Sequence, residues 1–291
     1  RYCDKKFEPI LINAIGEWDW LVNKKKNIEI LNLTNYKILS YLPKEGFIFS
    51  RLSYLIIFFL CFIPLLKFMR KNDCYVIIHL VTSLPLFLCN LFKLKSKIIL
   101  RVSGLPKLTS LRKYLWKLSN KKISKIICPT RSTQEFLKKN KIFNEEKIIF
   151  IRDPVFSIKD LKDKNKKNIT NQFGYKNFYL SIGRLTKQKN FEFLVKCFSK
   201  LVKNDPKLLL LILGEGERRK NLERKIKNYK LEKNVKLLGY KNNVYTYLKN
   251  CKFFILSSLW EDPGFVLIEA AINNTSIISS DCDNGPKDFL E

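Results

Sequence analysis

The chain has 291 residues and a formal net charge of +29, set by 55 Lys and Arg against 26 Asp and Glu. A length of this order suits two packed domains of about 100 to 200 residues each. With 46% hydrophobic and 13% aromatic residues, the sequence can bury sizeable cores, which excludes a wholly disordered basic tail.

The first residue is Arg1 and Met69 is the only methionine, so the sequence reads as a fragment lacking its true start. A first strand is expected at IEILNL (28 to 33). The apolar run RLSYLIIFFLCFIPLLKFM (51 to 69) follows; its uncharged part, Leu52 to Leu66, has 15 residues and contains Pro64. A spanning helix needs about 20 residues, so a buried or interfacial helix is expected there. Arg51 at one end and Lys67, Arg70 and Lys71 at the other would suit a cytoplasmic membrane surface. Further strands are expected at YVIIHL (75 to 80), KIILRVS (97 to 103), KIICP (125 to 129) and KIIFIRD (147 to 153). Short Ile-, Leu- and Val-rich runs between longer amphipathic stretches are the rhythm of alternating strands and helices on a parallel sheet. Residues 1–156 are therefore expected to form one α/β domain.

A charged stretch of little apolar periodicity, SIKDLKDKNKKNITNQFGYK (157 to 176), reads as a linker or an exposed crossover. A second series of strands then begins: FYLSIG (178 to 183), LLLLILG (208 to 214), VKLLG (235 to 239), KFFILSS (252 to 258) and TSIISSD (275 to 281). Helix-like segments lie between them at 189–203, 217–230, 243–250 and 263–273. Residues 177–291 are expected to be a second α/β domain. No internal repeat of fixed period is present, which argues against a solenoid.

The basic residues are spread through a chain that is also rich in Asn, Ile and Phe, so they imply a general attraction to polyanions more than a footprint for one partner. No nucleic-acid-binding module is visible in the sequence. The eight cysteines (Cys3, Cys61, Cys74, Cys89, Cys128, Cys197, Cys251 and Cys282) form no CxxC pair and mostly sit in apolar runs. They read as buried thiols in a reducing, cytosolic compartment. His79 is the single histidine, which argues against a His-rich zinc site.

Chemistry collects after the strands of the second series. Gly183-Arg184 follows the first, Gly214-Glu215-Gly216 the second, Leu259 to Gly264 the fourth and Asp281 to Gly285 the fifth. Parallel strands point one way, so these loops are expected along one carboxyl edge, where open α/β sheets bind ligands. In EDPGFVLIE (261 to 269), Asp262 and Pro263 read as a helix cap and first helical residue. Gly264 would let a ligand approach the free N–H groups of the first turn, which attract anions. Glu269 would lie two turns beyond that cap, about 9 to 10 Å along the axis, where an acid can accept hydrogen bonds from ribose hydroxyls. Glu261 would face the other end of such a ligand. Arg184 and Lys189, in GRLTKQKN, can both reach a diphosphate on this edge. Each residue alone also has a plain structural reading: a cap, a turn, a solvated charge. Asp281-Cys282-Asp283 is formally a DxD triplet, too short a motif to establish a metal site.

The runs SIGRLTKQKN, LLILGEGERRKNLE, FFILSSLWEDPGFVLIEAA and IISSDCDNGPKDFLE resemble the donor-binding domain of glycosyltransferase family 4, densely from Phe178 to Glu291 and loosely before that. The resemblance implies the GT-B fold, with two Rossmann-like α/β domains facing a cleft. It also implies a retaining, metal-independent transferase that needs no cofactor and uses a nucleotide-sugar donor, with UDP the most frequent nucleotide. Arg184 and Lys189 match the basic pair that holds the donor diphosphate, and Gly264, Phe265 and Val266 the loop whose amides meet phosphate and sugar. Glu261 matches the first acid of the family signature and Glu269 the ribose-binding acid. His79 resembles the active-site histidine, although a lone histidine after a strand is as often a structural hydrogen-bonder. Arg101 to Gly104 occupies the place of an acceptor-side loop. The family's opening strand and Gly-rich loop, and its terminal helices, are absent by this reading. Expected partners are the donor and a glycan or glycolipid acceptor of lipopolysaccharide or other polysaccharide biosynthesis. The expected location is cytoplasmic, with peripheral contact at the anionic inner face of the membrane. Rival readings are a basic nucleic-acid-binding protein and an interfacial membrane protein built around residues 52–66.

Overall fold

The computed structural model describes residues 7–14, 29–34, 47–79, 83–154 and 177–290. The expected linker at 157–176 lies outside the described residues, as do Cys3 and Leu80. By contact density the chain falls into two compact units. One comprises the described residues within Arg1–Arg101, Leu108–Ile126 and Ile142–Lys147; the other comprises those within Val102–Lys107, Ile127–Lys141 and Ile148–Glu291.

The described part of the first half begins with β1 (Ile10–Asn13) and β2 (Glu29–Asn32), paired in parallel. The sequence reading had no strand before residue 28, so β1 is a correction to it. Four residues with only three apolar ones carry too little alternation to be seen by periodicity. Asn13 is buried, and its Nδ2 donates to Asn32 Oδ1 at 2.8 Å across this pair.

Next comes α1 (Phe47–Lys71), a 25-residue helix with Pro64 inside it. The expectation from 15 uncharged residues was too short, because the helix continues past Lys67. A 20-residue stretch, Leu52–Lys71, is long and apolar enough to cross a membrane by length and composition. Only a narrow stripe of it is buried: Ser53, Cys61, Leu65 and Met69. Leu52, Leu55, Phe59 and Ile63 are exposed and recur at helical spacing on the opposite face. Phe58 and Phe62 pack edge-on against Phe87 of α2 (Ser83–Leu91), with ring centroids 5.6 and 6.4 Å apart.

A four-stranded sheet follows in the order β3 (Tyr75–His79), β4 (Lys97–Arg101), β5 (Ile123–Cys128) and β6 (Ile148–Phe150). Between these strands lie α3 (Ser110–Ser119) and α4 (Arg131–Lys139). Helix α4 is capped by Thr130, whose hydroxyl accepts from the Thr133 N–H at 3.2 Å.

The second series is a five-stranded sheet, order β11-β10-β7-β8-β9, in which every pairing is parallel. Its strands are β7 (Phe178–Ile182), β8 (Leu209–Leu213), β9 (Val235–Gly239), β10 (Phe253–Leu256) and β11 (Ile277–Ser279). The helices between them are α5 (Phe191–Asn204), α6 (Arg219–Asn228), α7 (Tyr245–Asn250) and α8 (Phe265–Ile272), with α9 (Pro286–Leu290) after β11. Each expected strand and helix of this half lies within a few residues of its place. The reason is that both faces of the sheet are covered. In β8, Leu211 and Leu213 enter one core with Tyr247, Leu248, Val266, Leu267 and Ala270. Leu210 and Ile212 enter the other, with Phe191, Val195, Phe198, Leu222 and Ile226. A strand buried on both sides reads as an uninterrupted apolar run, which is what LLLLILG shows.

All seven described cysteines are free thiols; Cys61, Cys89, Cys128 and Cys282 are buried, and Cys74, Cys197 and Cys251 are half-buried. Burial pushes the thiol of Cys89 up to about 11 and those of Cys128 and Cys251 up to about 12, so these three are inert at neutral pH.

Leu211 is fully buried in the sheet centre, whereas Leu201 on α5 is exposed. Urea denaturation is expected to show Leu211→Ala destabilised by about 2 to 5 kcal/mol and Leu201→Ala changed by no more than about 0.5 kcal/mol.

Candidate functional site

The strand order reverses direction between β7 and β10. From β7 the chain runs through α5 to β8 on one side; from β10 it runs through α8 to β11 on the other. Helices α5 and α6 pack into one core and α7 and α8 into the other, so the helices that follow β7 and β10 take opposite faces, the arrangement in which open α/β sheets hold ligands at the carboxyl edge.

These two loops are fastened to each other. The Leu259 N–H donates to the Gln188 carbonyl at 2.8 Å, and Gln188 Nε2 donates to the Trp260 carbonyl at 3.0 Å. Ser257 Oγ donates to the Lys189 carbonyl at 2.8 Å. At the centre, Lys189 Nζ meets Glu261 Oε1 at 2.6 Å, with 14% and 4% of the side chains exposed. Ser258 Oγ donates to the same Glu261 oxygen. The loops after β8 and β11 join this edge: the Leu185 N–H donates to the Glu215 carbonyl at 2.9 Å, and Ser280 Oγ donates to the Ser258 carbonyl at 2.7 Å. The four loops expected to converge do so.

The start of α8 differs from the sequence reading. Gly264, at φ 83°, is the N-cap, and the helix begins at Phe265. Asp262 is therefore no cap and Pro263 is not the first helical residue. The left-handed conformation at Gly264 ends the loop in a way an L side chain adopts only with strain, and no side chain caps the helix. Helix geometry leaves the N–H groups of Phe265 and Val266 without a carbonyl one turn back, so they are available to an anion, while the Leu267 N–H donates to the Gly264 carbonyl at 2.9 Å. Glu269 lies five residues beyond this cap, about 7.5 Å along the axis at 1.5 Å per residue, nearer than the expected 9 to 10 Å. It is half-buried.

Of the other expected residues, Arg184 is exposed two positions past β7, on the same edge as Lys189. Phe265 is 42% exposed, while the Val266 side chain lies in the core under α8, so Val266 can offer a ligand only its backbone. His79 and Arg101 belong to the first compact unit and lie opposite each other in the β3–β4 register, with Arg101 Nη1 against His79 Nε2. A guanidinium only donates, so Nε2 is the accepting nitrogen in this contact. Gly104 lies in the second unit and packs against Asp262.

Sequence reasoning missed Ser258, Gln188 and Asn284. Asn284 is buried and its Nδ2 donates to the Glu261 carbonyl at 2.8 Å. Its signal was the Asn-Gly-Pro turn at 284–286, a pattern for positive φ that the neighbouring DxD triplet obscured. In that triplet Asp281 and Asp283 are exposed and Cys282 is buried between them. Among the described residues no group of three or more His, Cys, Asp or Glu is placed to hold a metal ion.

Burial raises the Asp262 carboxyl above the usual carboxylate range; the Asn284 hydrogen bond opposes this, and the neighbouring Glu261 charge adds to it. An acid whose folded value is raised binds its proton more tightly when folded, so it costs stability as pH rises from the unfolded value through the folded one. Thermal unfolding followed across the acid range is expected to show Asp262→Asn losing less stability with rising pH than the parent.

Residues 162–291 match the model of the family described as glycosyl transferases, group 1. An uncharacterized glycosyltransferase of Methanocaldococcus jannaschii is 40% identical over 112 residues, covering 38% of this chain and 28% of that protein. The Campylobacter jejuni protein named N-acetylgalactosamine-N,N'-diacetylbacillosaminyl-diphospho-undecaprenol 4-alpha-N-acetylgalactosaminyltransferase is 39% identical over 113 residues, covering 39% of this chain and 30% of that one. The chain thus spans about three tenths of the length of these curated relatives. The crystal structure of Anabaena HepE in complex with UDP superposes with a TM-score of 0.69 at 14% identity, over 98% of this chain and 83% of that one. That likeness shows the fold: mixed α/β with parallel sheets, of the GT-B class. The candidate site lies within the segment that matches the group 1 glycosyl transferase model.

Proposed function

We propose that the protein transfers a sugar from a UDP-sugar, with retention at the anomeric carbon and without a metal ion, to a lipid-linked or polysaccharide acceptor. The observation that carries this reading is the joining of the Lys189 and Glu261 loops beside an uncapped helix start at Gly264, at the switch point of a parallel sheet. A cleaving glycosyl–diphosphate bond leaves negative charge on the diphosphate, and preorganised donors lower the barrier to that charge. Three such donors are at hand: Arg184, Lys189 and the first N–H groups of α8. Glu261 takes one of the three Lys189 protons and leaves two for phosphate oxygens. Their charges cancel locally, so Arg184 and the helix start supply the net attraction. Glu269, further along α8, is assigned the ribose hydroxyls. His79, beside Arg101, is assigned to the reacting sugar, and the Arg101 to Gly104 segment to the acceptor side. The lipid-linked acceptor is supported by the diphospho-undecaprenol in the name of the Campylobacter relative.

Isothermal titration of the chain with UDP checks the donor site. Arg184→Ala and Glu269→Ala are each expected to weaken binding at least tenfold, which is about 1.4 kcal/mol. Unchanged affinity in both would remove the assignment.

Peripheral contact with an anionic membrane on the cytoplasmic side is part of the same proposal. It is supported by the exposed row Leu52, Leu55, Phe59 and Ile63 on α1, which runs toward Lys67, Arg70 and Lys71. Sedimentation with anionic phospholipid vesicles is expected to lose most of the bound protein when Leu55, Phe59 and Ile63 are changed to serine together. Undiminished sedimentation would move the contact elsewhere.

A further inference from the structure

Asn284 sits in the left-handed region, at φ 67°, with 1% of its surface exposed. A carboxamide can make four hydrogen bonds, two given and two received, and this one makes both that it can give and one that it can receive. Nδ2 donates to the Glu261 carbonyl at 2.8 Å and to Asp262 Oδ1 at 3.1 Å. Oδ1 accepts from the hydroxyl of Thr130, with Thr133 Oγ1 a further 3.4 Å neighbour. Thr130 is the N-cap of α4 and Thr133 lies in its first turn, and this segment lies in the same compact unit as the Glu261 loop. Asn284 therefore bridges the residue that pairs with Lys189 to a helix start distant in sequence.

Two further contacts hold the same junction. Four residues on, the Asp288 carboxylate accepts from the Ser132 N–H at 3.3 and 3.2 Å and from the Ser132 hydroxyl. On the other side, Asp262 lies against Gly104, where a β-carbon would fall 1.6 Å from Asp262 Oδ1 and the backbone has φ 67°. Only glycine fits there. Thr133 Oγ1 also donates to the Gly104 carbonyl at 3.0 Å.

We infer that Asn284 is a positioning residue for Glu261, its carboxamide fixing the Glu261–Asp262 backbone against the start of α4 so that the Glu261 carboxylate is held on Lys189. The inference rests on the reading of the Glu261 loop as the donor site, and it adds a residue to that site's control. The polarity of the bridge is specific. Its donor end faces a carbonyl and a carboxyl, so an aspartate there would set an anion against both. Glycine would keep the left-handed backbone and remove the bridge altogether.

Hydrogen exchange of the full chain without nucleotide reads the positioning directly. In Asn284→Gly and Asn284→Asp, peptides covering residues 257–267, which include the bonded Leu259 and Leu267 amides, are expected to exchange at least tenfold faster. Exchange in α6 is expected to be unchanged. Thr130→Val removes one hydroxyl donor from the other end of the bridge and is expected to accelerate the same peptides, which keeps the test open where a change at 284 prevents folding. Unchanged exchange at 257–267, or equal acceleration there and in α6, would overturn the inference. UDP titration is the second readout: Asn284→Asp is expected to bind at least tenfold more weakly than the parent, and to add no further loss in a Glu261→Gln background. A parent chain that binds no UDP would remove the donor reading, and the exchange result alone would still decide the positioning role.

Discussion

The pairing of β7 with β10 is the constraint from which the candidate site follows. These strands are parallel neighbours although three helices and two strands separate β7 from β10 along the chain. Their adjacency puts two loops of unrelated sequence side by side and sends the helices that follow them to opposite faces of the sheet. A ligand at that edge meets the residues after β7 and those after β10 together, and the divergence of α5 from α8 leaves room for it. The two cores on either face of β8 hold the five strands in one rigid frame, so the loops start from fixed points.

At that edge the dominant electrostatic feature is neutral. Lys189 and Glu261 are both nearly buried and cancel each other's charge. A buried pair of this kind is weak evidence for stability, because desolvating both ions offsets much of their attraction. Its value here is geometric: Glu261 also receives the Ser258 hydroxyl, and the backbone around it is tied to Gln188 and Asn284. The helix start at Gly264 is thereby presented in one arrangement. Preorganised dipoles stabilise developing charge without reorganising at the moment of reaction, which loose basic side chains cannot do. The overall excess of +29 is spread through the chain and gives no such direction.

What could be read from the sequence divides along the same physical line. Strands β7 to β11 are each buried or flanked by amphipathic helices, so their apolar runs and the Gly-rich loops after them show both the elements and the edge they share. The identity of the cap at α8 was misread because Asp262-Pro263 has the chemistry of a helix start, while the backbone places the turn at Gly264. Asp262 instead uses its carboxyl on Asn284 and Gly104. That choice depends on residues 22 positions later and 158 positions earlier, and no local pattern encodes it. In the first half, β1 was too short for periodicity, and α1 outran its charge-based boundary because Lys67, Arg70 and Lys71 continue the helix as solvated residues.

The two ends of α1 and the start of α8 show how one sequence can place apolar surface for opposite purposes. In α8, Val266, Leu267 and Ala270 turn inward and fix the helix so that its amino end can face a ligand. In α1 the inward stripe of Ser53, Cys61, Leu65 and Met69 is narrow, and Leu52, Leu55, Phe59 and Ile63 take the other face. Burying that outer row inside the protein would have needed a further layer on α1. An apolar row that ends in basic residues suits an interface with hydrocarbon on one side and anionic head groups at its edge. An acceptor with a lipid tail would partition to that same interface, so an enzyme resting on it would meet the acceptor at a raised local concentration without a dedicated pocket for the tail.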